Sequence, residues 1–244
     1  MNVLNALKGL FKGKGGTDVD DFNITDSAVS STMRSATSLW WDAFQGQLPF
    51  TQTHKNFKPL PVAYTSTAYL AQLVTGEIKF EIADEKLNRH VQKNLLPNLD
   101  RIVQQTIVGG YTVIKPYFVQ SGEMFFDSGT SRDFLPMSLD ENGHVTEGVF
   151  FERIRYHGKI YERREHHTFQ NGVHTVRNTA YLYGTKHAVE LATVPKWAVL
   201  LPEGQIPSTI PMIATFRTPY ANNIDLDSEL PISIFANSLG TLHE

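Results

Sequence analysis

Glu152-Arg153-Ile154-Arg155-Tyr156-His157-Gly158-Lys159-Ile160-Tyr161-Glu162-Arg163 decides the fold class of this sequence. His157-Gly158 sits where a two-residue hairpin turn would reverse the chain, between segments rich in β-branched and aromatic residues. With that turn, Arg153 falls opposite Glu162 and Glu152 opposite Arg163. Two opposite-charge cross-strand pairs in one register support the hairpin. Asn142-Gly143 and Asn171-Gly172 are further turn signals on either side. The chain from about residue 134 to 183 therefore reads as an antiparallel meander.

Upstream the pattern turns helical. Residues 26–44 read as a helix capped by Asp26 or Ser27, stopped at Gly46, with Val29, Met33, Ala36 and Trp40 as its buried stripe. Trp41 lies off that stripe and is expected against a neighbouring subunit. A turn-rich passage from Pro49 to Pro61 precedes a second helix, residues 62–74, whose Tyr69, Leu70 and Leu73 are expected to face inward. Ile78, Phe80 and Ile82 alternate as a short strand after Gly76. Helical segments from Asp84 to Val108, divided at Pro97, carry Leu95, Leu99, Ile102, Val103 and Ile107 on one face, and Gly109-Gly110 closes the helical half. Strands follow at 111–119 and 123–127. After the meander, Pro195, Pro202, Pro207, Pro211 and Pro219 suit an extended passage, and a last helix is expected from Pro231, capped by Asp227 or Ser228. Helices followed by an antiparallel meander make an α+β fold.

Composition narrows the function classes. The 244 residues are 41% hydrophobic and 19% charged, enough apolar material for a real core. A net charge of −3 argues against a chain that clamps DNA over its whole surface. The absence of cysteine removes disulfides, thiol nucleophiles and iron–sulfur clusters. Val3, Leu4, Leu7, Leu10 and Phe11 give an amphipathic start with Lys8, Lys12 and Lys14, without the order of a signal peptide. Stable membrane association is not expected of one short apolar face. Gly13-Lys14-Gly15-Gly16-Thr17 lacks phosphate-loop spacing and reads as a linker.

Candidate chemistry concentrates in one hairpin. With Asn171-Gly172 as its turn, Phe169 pairs with His174 and His167 with Val176, so His167 and His174 become diagonal neighbours within reach of a shared metal. His166 points to the opposite face, and no third ligand of matching orientation is evident. Asn222-Asn223-Ile224-Asp225-Leu226-Asp227-Ser228-Glu229 gathers oxygens but lacks the glycine and terminal Glu of a calcium loop. No G-x-S-x-G elbow exists. Arg153, Arg155, Arg163 and Arg164 interleave with Glu152, Glu162 and Glu165, which reads as a paired, solvated sheet face. No catalytic, cofactor-binding or metal residue is assigned on these grounds.

A resemblance carries the reading further. The sequence is similar to the N-terminal half of tailed-phage portal proteins of the Listeria and lactic-acid-bacterial siphophage type. The matching stretches are Met1 to Lys14, Trp40-Trp41 before Gly46 and Pro49, Val108-Gly109-Gly110-Tyr111-Thr112-Val113-Ile114-Lys115-Pro116, and Arg132-Asp133-Phe134-Leu135-Pro136. They continue with Gly148-Val149-Phe150-Phe151-Glu152-Arg153 and Phe216-Arg217-Thr218-Pro219-Tyr220-Ala221-Asn222-Asn223-Ile224-Asp225. Family members usually carry a glycine near the position where Glu229 or Pro231 stands here, a mild departure. The resemblance implies a structural virion protein, not an enzyme, acting as head-tail connector in a dodecameric ring at the capsid vertex. Its implied partners are further copies, the major capsid or scaffolding protein, the terminase large subunit, a head-completion adaptor and double-stranded DNA in the tunnel; it would occupy the host cytoplasm during assembly. On this pattern residues 1–21 form an amphipathic start and linker, 22–215 the wing-like α+β domain, and 216–244 an extended segment opening a truncated stem helix. No DNA-contact residue is transferred. The competing expectation is a metal-dependent enzyme or carbohydrate-binding β module built on His167 and His174.

Overall fold

The structure, a computed structural model, describes residues 27–47, 61–119 and 122–238. The amphipathic start, most of the 49–61 passage and the last six residues lie outside the described residues. The chain has an α+β fold, and among the described residues four α-helices precede nine strands: α1 (Ser31–Phe44), α2 (Val62–Thr75), α3 (Glu85–His90), α4 (Leu99–Gly109), β1 (Tyr111–Phe118), β2 (Met124–Thr130), β3 (Phe134–Leu139), β4 (Val145–Tyr156), β5 (Lys159–Gln170), β6 (Val173–Leu182), β7 (Ala188–Val189), β8 (Glu203–Pro207) and β9 (Ala214–Arg217). These strands pair antiparallel throughout. One sheet has the order β2-β1-β9; the larger has the order β3-β4-β5-β6-β7, with β8 also pairing with β6.

The meander follows the expected register residue for residue. Arg153 pairs with Glu162, Glu152 with Arg163, Phe169 with His174 and His167 with Val176. His157 and Asn171 take positive φ together with Gly158 and Gly172, as a two-residue hairpin of this twist demands. The Asn142-Gly143 connection differs: only Gly143 is left-handed, and the turn is a five-residue loop. The Asp140 carboxylate organises it by accepting from the Asn142 and His144 amides.

Two faces of β1 explain the layering. Thr112 and Ile114 look toward the helices, where Ile114 packs with Val91, Leu95 and Ile102. Tyr111, Val113 and Lys115 look toward the larger sheet, where Tyr111 and Val113 join Phe134, Leu135 and Phe150. The expected apolar face of residues 95–107 is buried as read. Pro97 does interrupt the helix, through a π-turn at Val91–Leu95 and a 3-10 turn at Leu96–Asn98.

Several expectations are corrected. Helix α1 starts later than read: Ser30, not Asp26 or Ser27, caps it by accepting from the Met33 amide. Trp41 is buried within its own chain, its indole N–H donating to Ser131 Oγ at 3.0 Å. Trp41→Phe keeps an aromatic ring and loses that bond, so a loss of about 1 kcal/mol in urea unfolding is expected. On α2 the inward side is Thr67 and Ala71, with Leu70 half-buried; Tyr69 and Leu73 point to solvent. Small residues win that face because they let α2 approach Leu99, Val103 and Ile107 of α4 closely. Ile78, Phe80 and Ile82 pack inward against the helices but lie in no strand, so inward packing rather than a ladder holds the segment. The proline-rich passage contributes strands β8 and β9, and β9 spans position 216, where the extended segment was expected to begin.

No helix starts at Pro231 among the described residues. Leu230, Ile232 and Ser233 are buried instead, threaded across the end of α4. The Ile107 carbonyl there accepts from both Ser233 Oγ and the Ile234 amide. A helix C-terminus leaves carbonyls without intrahelical donors, and this remote segment supplies donors to one of them. The 222–229 loop closes on itself: Asn222 Oδ1 accepts from the Ile224 and Asp225 amides, and its Nδ2 donates to the Leu230 carbonyl.

Candidate functional site

The polar groups that sequence reading placed on a solvated face lie largely inside the protein. Glu162, Arg164 and Glu165 are buried, as are Lys115, His167 and His174. The pleat of β5 splits them. One face carries Glu162, which binds Arg153 and Arg164; the guanidinium groups of those arginines lie over Tyr183 and Tyr181. The other face turns toward β1 and lines an inter-sheet cleft of about 670 Å³.

Lys115 lines that cleft from β1. Its strand is otherwise apolar on this face, so a buried ammonium there requires a carboxylate. Glu165 supplies it through a direct ion pair, Asp127 lies 3.7 Å away, and the Phe150 ring lies beneath at 4.5 Å. Glu165 also accepts from Arg163 Nη1 at 2.5 Å and from His167 Nε2 at 2.7 Å. Arg163 continues to Asn178 Oδ1 and Glu152, and Glu152 accepts from Trp197 Nε1 at 2.9 Å and pairs with Lys196.

On the other side of Glu165 the bonds run through the histidines. His167 Nδ1 meets His174 Nε2 at 2.9 Å, and His174 Nδ1 accepts from the Met212 amide at 3.3 Å. The amide can only donate, so neutral His174 carries its proton on Nε2 and gives it to His167 Nδ1. His167 then carries its proton on Nε2 and donates to Glu165. The tautomers are thus fixed from one end of the chain to the other.

Electrostatics agree with this assignment. Burial would raise the Glu165 pKa, but the hydrogen bond from His167 and the charges of Lys115 and Arg163 hold it well below the usual carboxylate range. Burial depresses His167 despite the pull of Glu165. Burial and the neighbouring His167 push His174 down to about 4. Both rings are neutral at pH 7, beside an ionised Glu165.

The geometry bears directly on the metal and sugar readings. His167 and His174 do come together as read, but all four ring nitrogens are occupied by protein partners, leaving no lone pair for a metal. Among the described residues no group of three or more His, Asp or Glu side chains is placed to hold one. His166 is turned away, toward Glu147 at 2.8 Å. Neither His167 nor His174 touches a hydroxyl that it could activate as a nucleophile. Trp40, Trp41 and Trp197 are all buried, so no tryptophan offers an open face for a sugar ring.

Sequence reading missed Lys115, Met212 and the Trp197–Glu152 bond. One signal was available for Lys115: it interrupts the Tyr111, Val113 alternation of a strand with two covered faces. Met212 contributes only a backbone amide, which no side-chain pattern reports. Among the described residues no helix is long and apolar enough to cross a membrane. No protein-family model matches the chain, and no curated protein matches it.

Proposed function

We propose that this chain is a structural assembly protein, the wing-like part of a phage or prophage portal ring, and that it carries no chemistry of its own. The observation that carries this reading is α2. None of its 14 residues is charged, and Val62, Tyr69 and Leu73, at i, i+7 and i+11, form an exposed stripe along it. A helix that leaves such a stripe in water is a candidate for burial against another protein. Further exposed apolar side chains lie elsewhere, at Tyr117, Phe118 and Val119 and, on another segment, at Val199 and Leu201. Closed rings use two unlike surfaces of one subunit, and apolar side chains exposed off α2 as well as on it supply material for both. The fully partnered histidine chain supports the same reading, since it rigidifies a scaffold and leaves neither ring poised for turnover.

Assembly tests it. Light scattering and negative-stain microscopy should show concentration-dependent oligomers with cyclic symmetry. Tyr69→Glu/Leu73→Glu should return the protein to monomers with unchanged circular dichroism. A strict monomer at the highest soluble concentration, or oligomers indifferent to that double change, would overturn the proposal. Gene order gives a separate check: a large-terminase gene upstream and a minor head-protein gene downstream are expected.

A further inference from the structure

We propose that the Glu165–His167–His174 chain is an acid-released latch that holds the 208–213 loop, and with it the edge strand β8, over the inter-sheet cleft. In the neutral state the two rings hold two protons, one on each Nε2, and the Met212 amide fills the last lone pair at His174 Nδ1. A third proton has one place to go. If His174 takes it, it lands on Nδ1. If His167 takes it on Nδ1, that proton points at His174 Nε2, whose own proton must move to Nδ1. Either way His174 Nδ1 becomes a donor facing the Met212 N–H, and two donors cannot bond.

Neighbouring groups decide that the proton enters there. Glu165 cannot absorb it readily, because Lys115 from β1 and Arg163 from β5 keep it ionised. Asp127 on β2 is half solvated and tied to Lys115, and Glu152 on β4 is taken by Arg163 and Lys196. His166 faces the other side of β5. The 208–213 loop has no titratable side chain, so nothing in it can welcome an imidazolium. Its remaining ties are the Ser208 amide on the Gly172 carbonyl, the β6–β8 ladder, in which Val173 pairs with Pro207 and Arg177 with Glu203 at its two ends, and Ile213, which anchors the loop's far end in the core with Tyr111 and Val113. Ile206 and Met212 line the cleft beneath, so loosening this segment opens the cleft.

The sign follows from the depressed histidine. Burial and the neighbouring His167 push His174 down to about 4 when the loop is closed; opening solvates the ring and removes the burial part, so opening takes up a proton and acid favours it. Corrected for the intrinsic pH dependence of amide exchange, opening at Met212 should rise severalfold between about pH 7.5 and about pH 5, with about thirtyfold as the limit set by a fully solvated imidazole. Amides in β4 and β5 should stay protected. His174→Gln keeps an acceptor for Met212 and a donor for His167 without titrating, and its Met212 exchange should stay flat over the same range. Equal opening in wild type and His174→Gln, or none in wild type, overturns the latch. Should His174→Gln not fold, imidazole 15N spectra of the wild type decide. A bare Nδ1 on His174 at pH 7.5 that protonates as the Met212 amide shifts is required, and an Nδ1–H tautomer at neutral pH overturns it.

Discussion

Lys115→Met is expected to destabilise the protein by about 3 kcal/mol, the low end of the cost of breaking a buried ion pair. The methionine fills most of the lysine's volume, so the loss is electrostatic rather than a cavity. It leaves Glu165 inside the protein with Arg163 and His167 as its remaining partners. For a chain of this length that corresponds to a fall of roughly 6–12 °C in Tm. The lost stabilisation comes mainly from a buried carboxylate left with one cation, Arg163, where it had two, so the Lys115 pair itself need not be strongly favourable. Lys115→Met/Glu165→Gln tests that distinction, because the new side-chain amide still accepts from His167 and no buried carboxylate remains at that position. The double variant should recover at least half of the loss in urea unfolding, with unchanged m-values. Simple addition of the two single losses would mean that Lys115 and Glu165 are not coupled.

The same substitution has a consequence for titration. Lys115 is among the charges that lower His167, and Glu165 is the partner that raises it. Removing the ammonium while keeping the carboxylate must therefore raise the affinity of the histidine pair for a proton. The acid-induced opening at Met212 should begin at higher pH in Lys115→Met than in the wild type. A shift toward lower pH would contradict the assigned polarity of the chain.

How much of this could be read from sequence depends on how far apart the determining residues stand. The hairpins at His157-Gly158 and Asn171-Gly172 were legible to the residue, because turn, alternation and charge pairing all act within a few positions. The apolar face from Leu95 to Ile107 was legible for the same reason. Strands β8 and β9 were not: each is short, bracketed by prolines, and defined by a partner strand roughly 30 to 100 positions earlier in the chain. Tyr69 and Leu73 misled because hydrophobicity alone does not say which side of α2 fits against α4; the small residues Thr67 and Ala71 do. In the polar site, the meeting of His167 and His174 was readable from register. Its meaning was not, since that depends on Lys115 from another sheet and on the backbone of Met212.

The C-terminal segment gives the clearest contest between local signal and tertiary demand. Pro231 suits a helix start, yet residues 230–233 run without helix over the end of α4. Gly110 permits this. It has φ of +85°, its carbonyl accepts from the Thr218 amide, and Pro231 passes directly over its α-carbon. A Cβ at this position would press into the Pro231 carbonyl oxygen and come within 3.0 Å of its carbon and 3.2 Å of that of Ile232. These are backbone atoms, held by the Thr218 hydroxyl on the Ile232 carbonyl and by the donors to Ile107, so they cannot swing aside. Gly110→Ala should therefore cost about 3 kcal/mol, from a backbone at φ +85° and ψ −39°, outside the left-handed helical well, and from the clash. Gly158→Ala isolates the cost of a positive φ, since Gly158 has φ of +75° with nothing within 4 Å of the added carbon. It should lose only the backbone share, about 1–2 kcal/mol in the same urea experiment. The difference should also appear as early proteolysis within 230–238 in Gly110→Ala alone. Equal losses at the two glycines would show that the segment yields to the new methyl group, and that its grip on α4 is weaker than these contacts imply.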